Sequence, residues 1–527
     1  MAQDSSGPLR SQTRQGIPLS GTFIDTLAPL PELDQPGIEL LEGTSRDSTP
    51  PPSDAADWIA ELKRFYNRVD PRGLPKTRRY YSEQIERRVR RLVLPGSRVL
   101  DIGCGTGELL AALRPAIGVG VDLREHAIHE ARNRHPHLRF MHMPGETVQS
   151  LGDTFDHVIL GHVLGQVYCL QTLFDSLHSV CHARTRIIIV HYNRLWQPML
   201  YLMERLGIKQ KPPEQNWLPA DEVCHLLSLS GFETIRQFGM TLLPIQIPLV
   251  STLCNRFLGN LPLLHCLGLN YVLVARSLDP KVLKSRKPKS VSIVVPARNE
   301  AGNIQPLLDR IPRLAQRQEI IFVEGGSRDE TWAAIQDAAR DYSGPFRVLA
   351  HQQPGTGKAD AVRKGFSEAT GDALVILDAD ISVPPEELPA FFNALATGRG
   401  EMINGSRMVY LMDAKAMRFL NLLANKAFGW MFTYLLSQPF RDTLCGTKVL
   451  LREDYLRIAD DRKQMGDFDP FGDFELLFGA ARLNLKIVDV PVHYKARTYG
   501  ETNISRFRHG WILLRMCQHA ARKIKFV

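Results

Sequence analysis

The chain carries the same alternating pattern on both sides of one basic segment, and this limits what it can fold into. Short apolar runs alternate with helical stretches before and after DPKVLKSRKPKS, which spans 279–290. Strands that alternate with helices form units in which helices cover a mostly parallel sheet. A chain of 527 residues is also too long for one ordinary domain. The sequence therefore predicts two α/β domains, at 54–279 and 290–527, joined by a basic linker at 280–289.

The first 53 residues differ in composition from the rest. They are rich in Ser, Pro, Gly and Thr and end in STPPPSD, which predicts a disordered leader. The apolar core of a signal peptide is missing from this stretch. The chain also has no uninterrupted apolar run of roughly 18 residues, so we expect no membrane-spanning helix.

Composition and charge narrow the class of protein. Hydrophobic residues make up 44% and charged residues 23% of the chain, as in folded soluble proteins. The net charge of +9 suits anionic partners such as phosphates or an acidic membrane surface, and it does not require nucleic acid. The eight cysteines are scattered without a C-x-x-C pair. This argues against a disulfide framework or a zinc site and favours a reduced, cytoplasmic setting.

A glycine-rich loop follows the first strand of the first predicted domain. RVLDIGCGTGELLAAL places Gly103, Gly105 and Gly107 after Asp101. Glycines there allow tight turns and let a ligand approach the main chain. A dinucleotide fingerprint would need a further glycine where Glu108 stands, so the spacing is G-x-G-x-G. The alternative interpretation is a tight turn without a ligand.

Acidic residues follow the next two strands. IGVGVDL carries Asp122 near its end, and the carboxylate of this residue can accept both ribose hydroxyls of a nucleoside. FMHMPGETV places Glu146 after a third strand. With the glycine loop, this order resembles class I S-adenosylmethionine-dependent methyltransferases over about 80–276. The resemblance implies a Rossmann-like sheet, S-adenosyl-L-methionine as cofactor, and an acid facing adenine at Glu146. The cofactor-binding residues that it implies are Asp101, Gly103, Gly105, Gly107, Asp122 and Glu146.

The methyl acceptor is not indicated by the sequence. His162 follows the fourth strand in TFDHVILGHVLGQV, and a loop histidine without a chemical task is an open interpretation. The stretch MTLLPIQIPLVSTLCNRFLGNLPLLHCLGL is unusually apolar. It could line a lipid-facing pocket, but we expect a buried cap on the domain.

Two carboxylates end an apolar run in the second predicted domain. VILDADISVPP carries Asp378 and Asp380. Unpaired carboxylates are costly inside a strand, whereas at its exposed end they can bind Mg²⁺ or Mn²⁺. Turn or cap residues are the alternative. Upstream, Gly355, Gly357 and Lys358 form a loop suited to phosphate, with a surface turn as the alternative.

The order of the motifs carries a second resemblance. SVSIVVPARNEAGNI, EIIFVEGGSRDET and PGTGKADAVRKGFSEATGDALVILDAD resemble family-2 glycosyltransferases over about 290–509, in particular dolichol-phosphate-mannose-synthase-like enzymes. The resemblance implies a GT-A type domain, a nucleotide-sugar donor and a polyprenyl phosphate acceptor. It also implies metal binding by Asp378, Asp380 and Ser382, and nucleotide contacts by Pro296, Arg298, Glu300, Glu324, Gly357 and Lys358. A solvated ion pair is the alternative for Arg298 and Glu300.

One departure from the resembled family leaves the nucleotide open. Where the family commonly has Asp-Asp-Gly-Ser, this chain has EGGS beginning at Glu324. One carboxylate remains, on a longer side chain, so neither UDP nor GDP is favoured.

The resemblance also assigns basic and acidic residues to the phosphates and the acceptor. Arg407 in NGSRMVY and Arg418 in KAMRFLNLL would clamp phosphate, and Arg497 in HYKARTYGETN belongs to a basic loop that would close over the donor. A solvated charged loop is the alternative for Arg497. Asp473 in FDPFGDFELL is placed to line the acceptor side. A hydroxyl acceptor would need such a base, whereas a polyprenyl phosphate is already anionic.

A long apolar helix suggests membrane contact. FLNLLANKAFGWMFTYLLSQPF carries Phe428, Trp430, Phe432 and Leu435, and such a segment can lie in a membrane interface or be an amphipathic core helix. We expect a bifunctional transferase on the cytoplasmic face of a membrane, with no nucleic-acid partner and an open oligomeric state. The alternatives are a soluble or glycan acceptor, or one half that is an inactive binding module.

Overall fold

Two mixed sheets organise the part of the chain that can be described. The computed structural model describes residues 53–67, 76–206, 216–410, 419–465, 472–495, 499 and 506–526. These residues form two sheets of seven strands each, so the predicted pair of α/β domains is confirmed. Nearly all of the predicted leader, and the predicted site residues Arg418 and Arg497, lie outside the described residues. The predicted domain boundaries remain predictions.

The first sheet has the strand order β3-β2-β1-β4-β5-β7-β6. Its strands are β1 (Arg98–Ile102), β2 (Ile117–Asp122), β3 (Arg139–His142), β4 (Phe155–Gly161), β5 (Cys181–Tyr192), β6 (Phe232–Met240) and β7 (Asn270–Ser277). Strand β7 runs antiparallel to β5 and β6, and the other pairs are parallel. The order reverses between β1 and β4, which opens a crevice beyond the carboxyl ends of these two strands.

The helices of the first domain precede and connect these strands. They are α1 (Ser53–Asn67), α2 (Lys76–Val89), α3 (Glu108–Leu113), α4 (Glu125–Arg134), α5 (Leu170–Leu177), α6 (Gln197–Arg205), α7 (Ala220–Leu229) and α8 (Val250–Thr252). Strand β5 shows why the sheet is central, because Ile187, Ile188, Ile189 and Val190 are all fully buried. A strand without polar alternation is covered by helices on both faces.

The second sheet has the strand order β10-β9-β8-β11-β13-β12-β14. Its strands are β8 (Ser290–Ala297), β9 (Arg317–Glu324), β10 (Arg347–Gln352), β11 (Ala373–Ile376), β12 (Met402–Ser406), β13 (Lys448–Leu451) and β14 (Ile487–Pro491). Strand β13 is antiparallel to β11 and β12. The order reverses between β8 and β11, so a second crevice opens at their carboxyl ends.

The remaining helices begin within the predicted linker, where the first of them lies, and continue through the second domain. They are α9 (Pro280–Leu283), α10 (Ile304–Arg310), α11 (Thr331–Asp341), α12 (Lys358–Glu368), α13 (Leu388–Ala396), α14 (Phe419–Leu436), α15 (Arg452–Met465), α16 (Asp473–Arg482) and α17 (Arg506–Ala520). Among the described residues, none of the helices is both long enough and apolar enough to cross a membrane.

A buried cluster of charged residues joins the two sheets. Glu401 lies just before β12 and accepts hydrogen bonds from Arg186 of β5, at 2.7 and 2.8 Å, and from Arg286 of the linker, at 2.7 Å. Arg276 of β7 donates to the carbonyl oxygen of Gly398 at 2.7 Å. Burial alone would raise the pKa of Glu401, but the three arginines lower it to about 2. The described residues from 55 onward accordingly cluster as one compact unit that contains both domains.

Two apolar segments are arranged differently from expectation. On α14, Phe432 and Leu435 belong to the core, whereas Trp430 is 86% exposed, so only part of the predicted membrane-facing set faces outward. Between β6 and β7, Leu249 is 87% and Leu263 85% exposed. The expected buried cap is therefore wrong, because these side chains project from the domain instead of covering its core.

Candidate active sites

The glycine loop of the first domain adopts the backbone that its sequence predicted. Gly103, Gly105 and Gly107 have φ values of 78°, 56° and 81°. Side chains are disfavoured in this left-handed region, so glycine is needed. A Cβ on Gly107 would also lie 2.6 Å from the ring of Phe140. The loop thus follows β1 at the crevice and presents main chain there.

The carboxylate of Asp122 lies beside this loop and is fully engaged. Its Oδ2 accepts from the backbone of Gly105 at 2.8 Å and from the guanidinium of Arg124 at 2.9 Å. Its Oδ1 accepts from the backbone and from Nε of Arg124, both at 2.9 Å. A carboxylate offers about four acceptor positions, so Arg124 and the loop fill all of them. Sequence reasoning missed Arg124, although an arginine two residues after the acid was a visible signal.

The two other predicted acids of this domain occupy the same edge. Asp101, at 2% exposure, is the penultimate residue of β1, and burial together with the nearby Asp122 raises its pKa to about 7. Glu146 is half-buried in a short 3₁₀ helix, Gly145–Leu151, and burial raises its pKa. The structure therefore brings the glycine loop and Asp122 to the crevice edge, with Glu146 in the segment that follows the neighbouring β3.

An aromatic cluster continues the crevice beyond the glycine loop. His162 follows β4 with φ of 56°, and its Nε2 lies 3.0 Å from the hydroxyl of Tyr81, which donates to Asn270 at 3.0 Å. The ring of Tyr192 lies 4.4 Å from that of His162. The neighbouring Val163 would lie 3.2 Å from a Cβ on Gly103. His162 thus stands next to the predicted cofactor loop, and Tyr81 was not foreseen from the sequence.

The carboxylates of the second domain lie at the other crevice, just after β11. Asp378 pairs with Lys358 at 2.6 Å, and Asp380 accepts from the hydroxyl of Ser382 at 2.6 Å and from its backbone at 3.0 Å. Lys358 begins α12, directly after Gly357 with φ of 90°. Burial alone would lower the pKa of Lys358, but Asp378 and the neighbouring acids raise it. The predicted phosphate loop and the acidic motif are therefore one cluster.

Two residues that the sequence analysis passed over complete this cluster. A Cβ on Gly446 would lie 2.1 Å from Oδ2 of Asp378 and 2.4 Å from Nζ of Lys358, so only glycine leaves room for the pair. The fully buried Lys448 lies 3.1 Å from Asp473, the first residue of α16. The available signal was a lysine at the start of an otherwise apolar strand, directly after CGT.

The predicted nucleotide residues cluster at the ends of β8 and β9. Pro296 is half-buried on β8, and Arg298 is exposed after it. Glu300 is buried and accepts from Asn303 at 2.6 Å. Glu324 is buried at the end of β9 and accepts from Gln352 at 3.4 Å. The structure thus brings these residues to the edge at which the Asp378 cluster also lies, because β8 pairs with both β9 and β11.

Arg407 is held in a buried pair. Its Nε and Nη2 donate to Asp442 at 2.7 and 2.8 Å, and Asn425 donates to the same carboxylate at 2.9 Å. Burial alone would raise the pKa of Asp442, but Arg407 lowers it to about 2. The guanidinium also lies 5.0 Å over the ring of Tyr494. A phosphate at Arg407 would have to use its other N–H groups, so the clamping role stays a prediction.

Oxygen donors that suit a divalent cation lie together at the second crevice. Among the described residues, no three His, Cys, Asp or Glu side chains converge to hold a metal ion. The carboxylates of Asp378 and Asp380 and the hydroxyl of Ser382 are nevertheless hard oxygen donors, which Mg²⁺ and Mn²⁺ prefer. Lys358 already places a cation on Asp378. These residues therefore suit a metal whose remaining ligands come from the donor diphosphate and water.

Family models match both domains. A model described as "Methyltransferase domain" matches residues 77–237, and one described as "Glycosyl transferase family 2" matches residues 292–456. The resemblances derived from the motifs are confirmed by these matches.

Curated relatives match the second domain. The chain is 28% identical over 244 residues to a dolichol-phosphate mannosyltransferase of Pyrococcus furiosus, covering 45% of this chain and 64% of that protein. It is 30% identical over 227 residues to an undecaprenyl-phosphate 4-deoxy-4-formamido-L-arabinose transferase of Pseudomonas fluorescens, covering 41% of this chain and 61% of that protein. The chain thus spans less than two thirds of the length of these relatives.

Solved structures resemble each domain at low identity. Magnesium protoporphyrin IX methyltransferase from Synechocystis has 19% identity and a TM-score of 0.31, covering 42% of this chain and 100% of that chain. Glucosyl-3-phosphoglycerate synthase from Mycobacterium tuberculosis has 19% identity and a TM-score of 0.33, covering 46% of this chain and 83% of that chain. Scores this low add no argument to the family matches.

Proposed function

Because the chain carries a methyltransferase domain followed by a family-2 glycosyltransferase domain, we propose a bifunctional transferase. The second domain transfers a sugar from a nucleotide-sugar to a polyprenyl phosphate at a membrane surface. The first domain methylates an acceptor with S-adenosyl-L-methionine. The observation that carries the sugar transfer is the Asp378–Lys358 pair at the crevice beside Asp380. The printed names of both relatives, which contain dolichol-phosphate and undecaprenyl-phosphate, support the choice of acceptor.

The donor side rests on charge. Asp378, Asp380 and Ser382 would hold Mg²⁺ or Mn²⁺, which when bound supplies positive charge to the leaving nucleoside diphosphate. Lys358, at the start of α12, has a cation to offer the same diphosphate. Pro296, Arg298, Glu300 and Glu324 would contact the nucleotide. The chain's own residues thus neutralise and orient the leaving group.

The acceptor side rests on a second set of charges. We assign Arg407 and Arg418 to the acceptor phosphate and Arg497 to the donor phosphates, since arginine matches phosphate oxygens with a planar fork and stays charged. The phosphate oxygen attacks the sugar in a single inverting displacement. It needs no proton removed, because its second ionisation lies near pH 6. Asp473, paired with Lys448, would then not act as a base. It would instead hold Lys448 in position and balance its charge.

The methyltransferase site is assigned to the first crevice. The main chain at Gly103, Gly105 and Gly107 would contact the cofactor. The carboxylate of Asp122 would accept hydrogen bonds from its ribose hydroxyls. The bound cofactor supplies a methyl group on a positively charged sulfur. The acceptor would enter over His162, which lies beside the loop and contacts Tyr81. Methyl donor and acceptor would then meet at the carboxyl edge of the sheet.

Paired variants test the two halves. In calorimetric titrations, Asp122→Ala should abolish only the binding of S-adenosylmethionine. Asp380→Ala should abolish only the metal-dependent binding of nucleotide-sugars. Loss of both responses from either change would contradict two separate sites.

The acceptor is tested by kinetics. Arg418→Ala should raise the apparent constant for the polyprenyl phosphate and leave donor binding nearly unchanged, with Arg139→Ala, on an exposed edge of the other sheet, as the control. Equal weakening of donor binding by Arg418→Ala and Asp380→Ala would refute the assignment of the arginine. A soluble sugar that proved a better acceptor than any polyprenyl phosphate would refute the lipid acceptor.

A further inference from the structure

An apolar surface projects from the first domain between β6 and β7. Leu249, Leu253 and Phe257 are 87%, 53% and 46% exposed and recur every four residues, so they share one side of a helical segment. The backbone of Leu253 donates to Leu249 at 2.9 Å, which fixes that turn. Leu263, farther along the same segment, is 85% exposed. These four residues are called the insert face, and exposed apolar patches of this kind mark interaction sites.

Three arginines lie beside the insert face. Arg87 lies in the last turn of α2 and Arg91 two residues beyond its end, and both are exposed, as is Arg256 between Leu253 and Phe257. Burial and the neighbouring charges of Arg87 and Arg256 lower the pKa of Arg91, which shows that the three guanidinium groups are close together. These residues are called the arginine cluster.

The end of the chain adds to the same surface. The ring of Phe526 stacks on Phe257 at 6.2 Å, and its carbonyl oxygen accepts from Nε of Arg256 at 3.2 Å. Arg522 and Lys523 precede it and are exposed. Residues from both domains therefore combine positive charge and exposed apolar side chains in one place.

We propose that this surface docks the protein on an anionic membrane, with the insert face in the interface and the arginine cluster on lipid phosphates. Apolar burial and attraction to anionic lipids together give interfacial binding. A nucleic acid would bind through phosphate contacts and aromatic stacking, so it would leave the exposed leucines of the insert face without a partner. A second copy of the chain would bring two arginine clusters together. The inference rests on the proposed function, because it names the surface that would bring the enzyme to its lipid acceptor.

Vesicle sedimentation tests the charge. The full chain is mixed with phosphatidylcholine vesicles that contain roughly one third phosphatidylglycerol, and binding should weaken with salt. The pair Arg87→Gln with Arg91→Gln should weaken binding by about 25-fold, at about fivefold for each cation. The control pair is Arg139→Gln with Arg347→Gln, which changes net charge equally on exposed edge strands β3 and β10. It should change binding by about twofold or less.

A second pair tests the apolar part. Leu249→Ser with Leu263→Ser should weaken vesicle binding by about tenfold or more without a change in melting temperature, because both side chains are already exposed. The matched control is Leu229→Ser with Leu456→Ser, at 62% and 50% exposure on α7 and α15, and should bind as wild type.

Several results would overturn the inference. Absence of the wild type from the vesicle pellet is one such result, and equal loss of binding in the test and control pairs is another. Binding of single-stranded RNA as tight as binding of the vesicles, and unaffected by the two leucine substitutions, would also overturn it. A dimer in solution that the two leucine substitutions dissociate would do the same. Sugar transfer to a short-chain, detergent-solubilised polyprenyl phosphate separates the two hypotheses. In that assay Asp380→Ala should be inactive, yet it should still bind vesicles. A wild type that transfers sugar but does not bind vesicles would refute the docking surface and leave the proposed function standing.

Discussion

Arg124 should compete with the cofactor of the first domain, and removing its side chain should tighten binding. Its guanidinium donates two hydrogen bonds to Asp122, each at 2.9 Å, and with two backbone donors fills the carboxylate. If Asp122 accepts the ribose hydroxyls, Arg124 must first withdraw. The change Arg124→Met removes both side-chain donors and keeps a chain of similar length.

The magnitude follows from the pair that must be broken. The side chains of Arg124 and Asp122 are 27% and 5% exposed, so the pair is largely shielded from water. Breaking two charge-assisted bonds while Arg124 regains water costs about 2 kcal/mol, which is roughly thirtyfold in the dissociation constant. Titration calorimetry should therefore show that Arg124→Met binds S-adenosylmethionine more tightly than wild type, with a dissociation constant lower by up to about thirtyfold.

Two controls isolate the cause. S-adenosylhomocysteine lacks the positive sulfur, so equal tightening for both ligands separates release of Asp122 from relief of charge repulsion. Arg134→Met removes an arginine of α4 whose partners are Glu108 and Glu130, both at 2.7 Å, and should leave affinity unchanged. Unchanged or weaker binding of both ligands by Arg124→Met would refute the competition and make Arg124 a cofactor contact or a spectator.

Three further predictions concern the rest of the molecule. Glu401→Gln removes the acid that the buried arginines share, so the free energy of unfolding should fall by about 3–5 kcal/mol, and chemical denaturation that shows less than about 1 kcal/mol would contradict it. The pKa of Asp101 is raised to about 7, and a nearby positive sulfur favours its ionised form. Affinity for S-adenosylmethionine should therefore rise about tenfold per pH unit from pH 5 to 7 and then level off, with proton release in calorimetry; a flat profile in wild type, or an unchanged slope in Asp101→Asn, would refute this. Lys358→Met releases Asp378, so Mn²⁺ binding measured by electron paramagnetic resonance should tighten by about tenfold while sugar transfer falls, and weaker Mn²⁺ binding would contradict it.

The sequence was sufficient where backbone geometry carries the information. Alternating strands and helices predicted both α/β domains, because a mostly parallel sheet requires that order. Gly107 and Asp380 could be placed at crevices because a polar or glycine-rich turn after a buried strand lies at the carboxyl edge of the sheet. The family matches over 77–237 and 292–456 agree with this interpretation.

Helix faces could be assigned only in part. Phe432 and Trp430 lie two residues apart in one apolar stretch, and the sequence left both a membrane interface and a core helix open for this stretch. The structure buries the first and leaves the second 86% exposed. A helix that is apolar on most sides has no periodicity to show which side meets its neighbours.

The pairing of charges was decided by tertiary structure alone. Arg407 was assigned to phosphate from the sequence, yet its guanidinium bonds to Asp442 across 35 residues of chain. Glu401 meets Arg186 across 215 residues. A strand pattern shows where a charged side chain starts, but the partner that it reaches depends on the packing of distant elements. A buried charge needs such a partner, because desolvation without one is too costly.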